Sequence, residues 1–280
     1  MRKISVKKIE SAVSALSMEA NFVLRKDVLR ALKKAYQAQK PGKAKRVLGI
    51  LVENAEVAGR SKTAICQDTG MAEVFLAIGQ KVIITGGDLS KAVNGGVRLG
   101  YKKGFLRKSV VSDPFLRKNT CDNSPAVIHT RIVPGDRLKI TVMPKGFGSE
   151  NKTSIRMFNP THGAKEVSDF VVEAVRKAGA DACPPYIIGV GIGGTLDKAC
   201  ILAKEALLRP VGRVSRKPHI ATIERSLRKR INALRIGPMG FGGGATCLGV
   251  NIEDYPTHIA GLPVCVSISC HATRSASKTI

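Results

Sequence analysis

The sequence predicts a mixed α/β protein, with a helical N-terminal part followed by alternating strands and helices. Apolar residues recur at helical spacing through about residues 1–60. Runs of aliphatic residues then alternate with further helical patterns through about residues 61–275. No internal repeat and no long linker interrupts this order. We therefore expect a single domain over residues 1–280.

The N-terminal part is predicted to contain a series of helices. The first covers about residues 7–24, where apolar side chains recur every third or fourth position. The second is expected to begin with Asp27 as its N-cap and to stop before Pro41-Gly42. The third is expected to end at Gly59, because glycine often follows the last helical turn.

Strand patterns begin after these helices. Residues 74–78 and 82–84 consist almost entirely of apolar residues with high β propensity. Residues 126–133 and 137–142 are also predicted to be strands, and the turn pair Gly135-Asp136 lies between them. Because such a pair commonly joins neighbouring antiparallel strands, we expect a β-hairpin here.

The remaining elements follow from changes in the period of the apolar residues. Asp88 is a candidate N-cap for a helix that ends at Gly104. The later elements are predicted to be a helix at 164–178, a strand at 186–190 that leads through 191–195 into another helix, a basic helix at 219–235 and a buried strand at 262–268.

The composition is that of a soluble protein with a packed core. Hydrophobic residues make up 44% of the 280 residues. No apolar run reaches the length of a membrane span, and the N-terminus lacks the apolar stretch of a signal peptide. We therefore expect a cytoplasmic protein that does not enter a membrane.

The charge is strongly positive. The formal net charge is +25, from 46 Lys and Arg against 21 Asp and Glu. Such a surplus attracts nucleic acids, anionic substrates or an acidic partner. However, the basic residues are scattered, Trp is absent and aromatic residues amount to 4%, which is poor material for stacking nucleic-acid bases. A basic nucleic-acid-binding protein therefore stays an alternative with little support.

The cysteines indicate reduced thiols rather than disulfides. There are seven, an odd number, in a chain without an export signal. None belongs to a CxxC pair, which argues against a zinc ribbon or a thioredoxin-like site. Ligands that come together from distant loops remain possible.

One loop combines several chemically active residue types, Cys66-Gln67-Asp68-Thr69-Gly70. It could place a thiolate on a metal while the amide and the carboxylate face a small polar substrate. It could equally be a helix-to-strand turn with one incidental buried cysteine. From these residues alone the two interpretations are even.

Glycine-rich segments give weaker signals. The pattern of segment 144–152 favours a surface loop over an anion site, and the turn 191–195 lacks the glycine spacing of a dinucleotide fingerprint. The segment 237–244 holds so many glycines that we expect its backbone to pack close to a ligand or a metal cluster.

Taken together in order, these stretches resemble a known family. The matching motifs are Cys66-Gln-Asp-Thr-Gly, Leu106-Arg-Lys-Ser, Asp122-Asn-Ser-Pro-Ala, Gly148-Ser-Glu-Asn-Lys, Cys183-Pro-Pro through Thr195, Gly237-Pro-Met-Gly-Phe-Gly-Gly, Pro256-Thr-His-Ile-Ala and Cys270-His-Ala. The chain resembles the iron–sulfur-dependent hydro-lyases, in the α-type part of class I fumarate hydratases and L-tartrate dehydratases. Each motif alone is weak, but the ordered set is specific and covers nearly the whole chain.

The resemblance implies that Cys66, Cys183 and Cys270 hold a [4Fe-4S] cluster. Thiolates are the ligands that such iron prefers, and three of them leave one iron open as a Lewis acid. The remaining cysteines are expected to be small buried hydrophobes, namely Cys121, Cys200, Cys247 and Cys265. Relatives tend to carry glycine where this chain has Cys121, and that departure has no assigned role.

The resemblance also implies roles for several polar groups. Arg107 would clamp a substrate carboxylate, and Gln67, His258 and the backbone near Gly148 would contact the same ligand. Asp68 would help to transfer the proton of the leaving hydroxyl. His271, next to a ligand cysteine, is a weaker candidate for a supporting contact.

The family context further implies a partner. Single-chain members carry a further C-terminal portion that supplies more basic residues and the catalytic base. We therefore expect an α subunit that needs a β subunit, in an α2β2-type assembly that hydrates fumarate to L-malate reversibly. L(+)-tartrate or a related small dicarboxylate is the alternative substrate. A structural α/β protein with merely buried cysteines is the remaining possibility.

Overall fold

Helices and strands alternate along the chain in the structure, a computed structural model that describes residues 1–280. The predicted mixed α/β class is confirmed. The helices are α1 (Val6–Phe22), α2 (Lys26–Ala38), α3 (Lys43–Ser61), α4 (Leu89–Lys103), α5 (Phe147–Glu150), α6 (Ala164–Ala178), α7 (Leu196–Leu208) and α8 (Pro218–Ala233). The strands are β1 (Arg2–Ser5), β2 (Met71–Gly79), β3 (Val82–Thr85), β4 (Val127–Val133), β5 (Leu138–Lys145), β6 (Ser154–Phe158), β7 (Tyr186–Gly193), β8 (Cys247–Tyr255), β9 (Leu262–Ser269) and β10 (Ala276–Thr279).

The chain divides into two compact units. The first unit consists of Met1–Arg25, Ala55–Phe147 and Arg274–Ile280. The second unit consists of Lys26–Asn54 and Gly148–Thr273. Each unit has its own hydrophobic core. None of the helices is both long and apolar enough to cross a membrane.

The first unit is built on a four-stranded sheet with the order β10-β5-β2-β4. Helices α1 and α4 lie close together, and two glycines of α4 permit this approach. A Cβ atom at Gly96 would lie 2.6 Å from the Glu10 carbonyl oxygen, and one at Gly100 would lie 2.7 Å from that of Ser14. Small residues at these positions therefore bring the two helices together over the core.

The predicted hairpin between residues 126 and 142 is wrong. Both strands exist, but β4 pairs in parallel with β2, and β5 pairs antiparallel with the other side of β2. The turn between them passes across the end of β2, where a Cβ at Gly79 would lie 2.5 Å from the Gly135 carbonyl oxygen. A turn signal identifies a reversal of the chain, but it does not show that a third strand lies between the two arms.

The second unit is built on a four-stranded sheet with the order β6-β9-β7-β8. Strands β7 and β8 are parallel, and β9 runs antiparallel to β7. The core contains Tyr186, Ile188 and Val266 from the sheet, with Val171 and Leu227 from helices α6 and α8.

The glycines of β7 have a packing role. A Cβ at Gly189 would lie 2.1 Å from the Ala203 carbonyl oxygen, and one at Gly191 would lie 1.9 Å from that of Ala199. Both carbonyls belong to α7, so this helix lies directly against the backbone of the strand. The glycine-rich run after Cys183 is thus explained in part by helix–strand contact.

Two predicted helix boundaries are corrected. Asp27 is not the N-cap of α2, because it lies inside the first turn, and its Oδ2 accepts from the Val211 N–H at 2.7 Å. Gly59 does not end α3, which continues to Ser61. Asp88 is the N-cap of α4 as predicted, since its Oδ1 accepts from the Lys91 N–H at 2.6 Å. The short strands β1, β6 and β10 had no clear sequence signal.

The close contact between β7 and α7 gives a test of the fold. We expect Gly191→Ala to lower the free energy of unfolding by about 3 kcal/mol, because the added methyl overlaps a helix carbonyl. Gly244→Ala is the matched control, since a Cβ there would have nothing within 4 Å. Urea unfolding of both variants measures the difference, and equal stabilities would refute the assigned packing.

Candidate functional site

The loop that carries Cys66 joins α3 to β2 in the first unit. Cys66 and Asp68 are half-buried and Gln67 is exposed, whereas Thr69 and Gly70 are buried. The loop therefore presents its three chemically active side chains while its end is held inside the protein.

Backbone amides hold the Asp68 carboxylate. Its Oδ1 accepts from the Gly70 N–H at 3.0 Å, and its Oδ2 accepts from the Phe147 N–H at 2.8 Å. Gly146 borders the same carboxylate, because a Cβ there would lie 3.1 Å from Oδ2. Two charge-assisted bonds of this kind fix the direction of the carboxylate.

Buried side chains hold the carbonyls at the end of the loop. The Tyr101 hydroxyl donates to the carbonyl oxygens of Thr69 and Gly70 at 2.7 and 3.0 Å. The Asn123 amide donates to the Gly70 carbonyl at 3.1 Å and accepts from the Ser109 N–H at 2.8 Å. Burial raises the pKa of Tyr101 from 10.0 to about 12, although the nearby Arg274 charge opposes this shift. The hydroxyl therefore stays protonated and able to donate at neutral pH.

Arg274 is a further anchor of this loop. Its side chain is 4% exposed, and its Nη2 donates to the Asp68 carbonyl oxygen. It belongs to the first unit because β10, which begins two residues later, pairs with β5. Sequence reasoning missed Tyr101 and Arg274, since neither a lone tyrosine in a helix nor a lone arginine after a motif carries a distinctive pattern.

The predicted carboxylate clamp, Arg107, lies in the same unit. Its side chain is exposed, and its backbone carbonyl accepts from the Thr69 hydroxyl at 2.6 Å. The segment that carries Arg107 is thus tied directly to the cysteine loop. A planar guanidinium in this setting can bind two carboxylate oxygens.

In the second unit, the structure brings the segments of Cys183 and Cys270 together. The backbone N–H of His271 donates to the Cys183 carbonyl at 3.1 Å, and His271 Nδ1 lies 3.2 Å from the same oxygen. Both cysteines are half-buried, and each stands next to an end of a central strand, β7 or β9. His271 therefore has a positioning contact with one predicted ligand segment.

Tyr186 reports the nearness of both thiols. Burial is the largest cause that raises the pKa of its hydroxyl, and the charges of Cys183, Asp181 and Cys270 add to the rise. Its hydroxyl donates to the Gly179 carbonyl at 2.6 Å. A charge on either cysteine would thus disfavour ionisation of the Tyr186 hydroxyl.

The glycine-rich segment 237–244 contacts the Cys183 segment. The Met239 N–H donates to the Pro184 carbonyl at 2.8 Å. Gly237 has φ 72°, and a Cβ there would lie 1.5 Å from the Gly242 carbonyl oxygen. A Cβ at Gly240 would lie 2.7 Å from that of Ala180. Tight folding of the segment on itself and on its neighbour accounts for these glycines.

His258 does not share the position of the two cysteines in the second unit. It lies in the turn before β9, whereas Cys270 directly follows this strand. The strand has eight residues and is therefore about 26 Å long. His258 is exposed, and the Ala260 N–H donates to its Nδ1 at 3.1 Å. In a neutral ring, Nε2 then carries the proton and faces away from this bond.

Gly148 is an exposed residue of the short helix α5. Two ion pairs flank it in the second unit, Lys152–Asp181 at 2.8 Å and Lys204–Glu150 at 2.6 Å. These pairs fix the segment, and the role of the Gly148 backbone in substrate binding stays a prediction.

The cysteines without a predicted role differ in exposure. Cys247 and Cys265 are buried as expected, and burial raises the pKa of Cys247 to about 12. Cys200 is half-buried, packed against the small cluster that contains Cys265. The expectation of burial is wrong for Cys121, which is exposed in a turn with φ 63°.

Comparison with known proteins identifies the family. The family model of fumarate hydratase (Fumerase) matches residues 10–279. The chain belongs to this family. A Methanocaldococcus jannaschii protein, provisionally named an L(+)-tartrate dehydratase subunit alpha, is 39% identical over 98% of both chains. The L(+)-tartrate dehydratase subunits alpha of Escherichia coli K12 and Shigella sonnei are 29% identical over 96% of this chain and 90% of theirs.

Members of this hydro-lyase family generally use an iron–sulfur cluster. The donor chemistry of this chain fits such a group, since Cys183 and Cys270 lie on contacting segments and are half-buried residues outside any disulfide. The structure contains no preassembled group of three or more His, Cys, Asp or Glu side chains for a metal ion. Cys66 belongs to the first unit and the other two cysteines to the second, so the ligand set of three stays a prediction.

The anchoring of the cysteine loop gives a second test. We expect Tyr101→Phe to lower the free energy of unfolding by about 1–3 kcal/mol at pH 8, because the Thr69 carbonyl loses its donor and the Gly70 carbonyl loses one of two. Tyr36→Phe is the control, since that side chain is 39% exposed, and it should change the stability by less than about 0.5 kcal/mol.

The same hydroxyl gives a pH dependence. Because the pKa of Tyr101 is raised in the folded state, its contribution is complete below about pH 10 and is lost as the pH rises towards 12. The stability of the wild-type chain should therefore fall more steeply than that of Tyr101→Phe over this range. Parallel curves in urea titrations would contradict the assignment.

Proposed function

We propose that the chain is the α subunit of a two-subunit hydro-lyase that adds water to, or removes water from, a small dicarboxylate. L(+)-tartrate is the first candidate substrate, because similarity to L(+)-tartrate dehydratase subunits alpha extends over nearly the whole of both chains. This similarity is the observation that carries the proposal. Fumarate is the second candidate and rests on the family model. The sequence motifs alone favoured the opposite order.

The exposed groups of the first unit suit a dicarboxylate. The Arg107 guanidinium can bind a carboxylate through two parallel hydrogen bonds, and the exposed Gln67 amide can bind a substrate hydroxyl or carboxylate. The Asp68 carboxylate already accepts two backbone N–H bonds, which keeps it aligned for proton transfer. These residues would bind and orient the substrate and move a proton at the leaving hydroxyl.

A [4Fe-4S] cluster held by Cys66, Cys183 and Cys270 would, when bound, supply Lewis acidity at the hydroxyl that leaves. None of the seven cysteines is in a disulfide, which agrees with this ligand role. Cysteines without disulfides also support a cytoplasmic location.

A companion β subunit is part of the proposal. The relatives are named α subunits, which implies a partner. The segment around Arg107 supports it, because Phe105, Phe115 and Leu116 are 97%, 92% and 83% exposed. The Asp113 carboxylate fixes this tip by accepting from the N–H groups of Phe115 and Leu116. Exposed apolar side chains on a hydrogen-bonded turn, with basic residues around them, suit a partner with an apolar pocket and an acidic rim.

In this scheme we propose that His258 acts at the site of a second α chain. It lies at the end of β9 opposite to Cys270, so its own unit gives it no contact with the Cys183 and Cys270 segments. The neighbouring Ile259 is 90% exposed, and the Thr257 hydroxyl ties the turn to the Gly194 carbonyl at 3.0 Å. A rigid exposed turn of this kind can insert into another copy, which agrees with an α2β2-type assembly.

Reconstitution with the β subunit tests the proposed function. The pair, supplied anaerobically with iron and sulfide, should dehydrate L(+)-tartrate. Replacement of Cys66, Cys183 or Cys270 by Ser should each abolish bound iron and sulfide and lower kcat by at least about 1000-fold, since a ligand thiolate is lost. Cys265→Ser is the matched control and should retain the cluster.

Three results would decide against parts of this scheme. Turnover of fumarate but not of L(+)-tartrate would reverse the order of the substrates. A colourless reconstituted pair without activity towards either substrate would contradict the proposed hydro-lyase function. Full iron content after the Cys183 substitution would remove that residue from the ligand set.

Mixed assemblies test the position of His258. His258→Ala and Cys183→Ser chains should each be inactive, but co-expressed with the β subunit they should regain roughly a quarter of wild-type activity. The reason is that half of the assemblies are mixed and one of their two sites is intact, which follows from the geometry of a closed two-fold assembly. Two inactive variants that never complement each other would show that His258 does not act across copies.

A further inference from the structure

We propose that Arg274 is a positioning residue of the site, which holds the Asp68 peptide and thereby aligns the Cys66–Gly70 loop. The contacts of the Arg274 guanidinium are incomplete. Its Nη2 donates to the Asp68 carbonyl, but its buried Nε and Nη1 have no hydrogen-bond partner. A buried guanidinium with unmade bonds is costly, because it stays charged and has lost its hydration.

This cost argues against a purely stabilising role. An apolar side chain of similar length would fill the same space without leaving donors unpaired, and such replacements of buried ions are often neutral or stabilising. Unpaired buried donors in a native fold call for a specific explanation, and the bond that Arg274 does make supplies one. Here it holds the backbone carbonyl of Asp68, the residue proposed above to transfer a proton.

The contact acts on the backbone between the active groups. The Asp68 carbonyl belongs to the peptide that joins Asp68 to Thr69, and the Asp68 carboxylate receives the Gly70 and Phe147 amides. The guanidinium and the Asp68 carboxylate both lie next to Gly146. A Cβ at Gly146 would be 3.1 Å from Asp68 Oδ2 and 3.9 Å from Arg274 Nη2. Arg274 therefore fixes the peptide plane, while the amides fix the carboxylate direction.

The inference deepens the proposed function, and its first experiment does not depend on it. In the full chain, Arg274→Met should leave the melting temperature unchanged or raised. Amide hydrogen exchange at Gly70 and Phe147 should become about tenfold faster, as expected for the loss of one hydrogen bond. The Lys91 amide, which is bound to Asp88 in the same unit, should keep its rate. Arg98→Ala is the matched control, because that side chain is 47% exposed and pairs with Asp122.

The second experiment uses the assembly with the β subunit. Arg274→Met should lower kcat by about 100-fold with little change in KM, because alignment for proton transfer is lost while Arg107 still binds the substrate. Arg274→Lys, which keeps one donor for the Asp68 carbonyl, should recover a tenth or more of the lost activity.

The outcomes separate the two proposals. Unchanged exchange at Gly70 and Phe147 would overturn the positioning role, and so would faster exchange spread over the whole first unit together with a lower melting temperature. Local acceleration in the chain, combined with an inactive wild-type assembly, would support the positioning role and overturn only the proposed function.

Discussion

The hydrogen bonds that hold the Cys66–Gly70 loop are the constraint on which the candidate site depends. The loop cannot be kept in place by burial of its own side chains, because Gln67 is exposed and Cys66 and Asp68 are only half-buried. Its backbone carbonyls are instead held by hydrogen bonds from the buried Tyr101 hydroxyl and the Asn123 amide. These bonds are made where water is excluded, so removing the Tyr101 hydroxyl leaves the Thr69 carbonyl without its donor.

Close backbone contact is the second recurring feature, and it gives the glycines a common explanation. Gly96 and Gly100 allow α1 and α4 to touch, and Gly191 allows α7 to lie on β7. The motifs of the family contain such glycines beside the cysteine segments, where they resemble ligand-binding loops. In this fold several of them are needed for packing, and the site gains rigid support from elements that lie closer together than side chains would permit.

In the second unit, predicted site residues lie at both ends of one sheet. The Cys183 and Cys270 segments lie at one end of β7 and β9, where His271 connects them. The turn with His258 lies at the other end of β9. Two motifs that stand twelve residues apart in the sequence are thus separated by the length of a strand. This separation motivates the proposal that assembly, rather than the fold of one chain, brings His258 to a site.

The sequence by itself determined the mixed α/β class, most helices and the family, because apolar periodicity and ordered motifs are local properties of the chain. It also identified Cys66, Asp68 and Arg107 as candidates from their residue types and from the resemblance. Only the tertiary structure decided that β2 lies between β4 and β5, that Cys121 is exposed, and that Tyr101 and Arg274 anchor the cysteine loop. These facts depend on strand order, burial and contacts between residues far apart in the chain, and such long-range relations leave no periodic signal in the sequence.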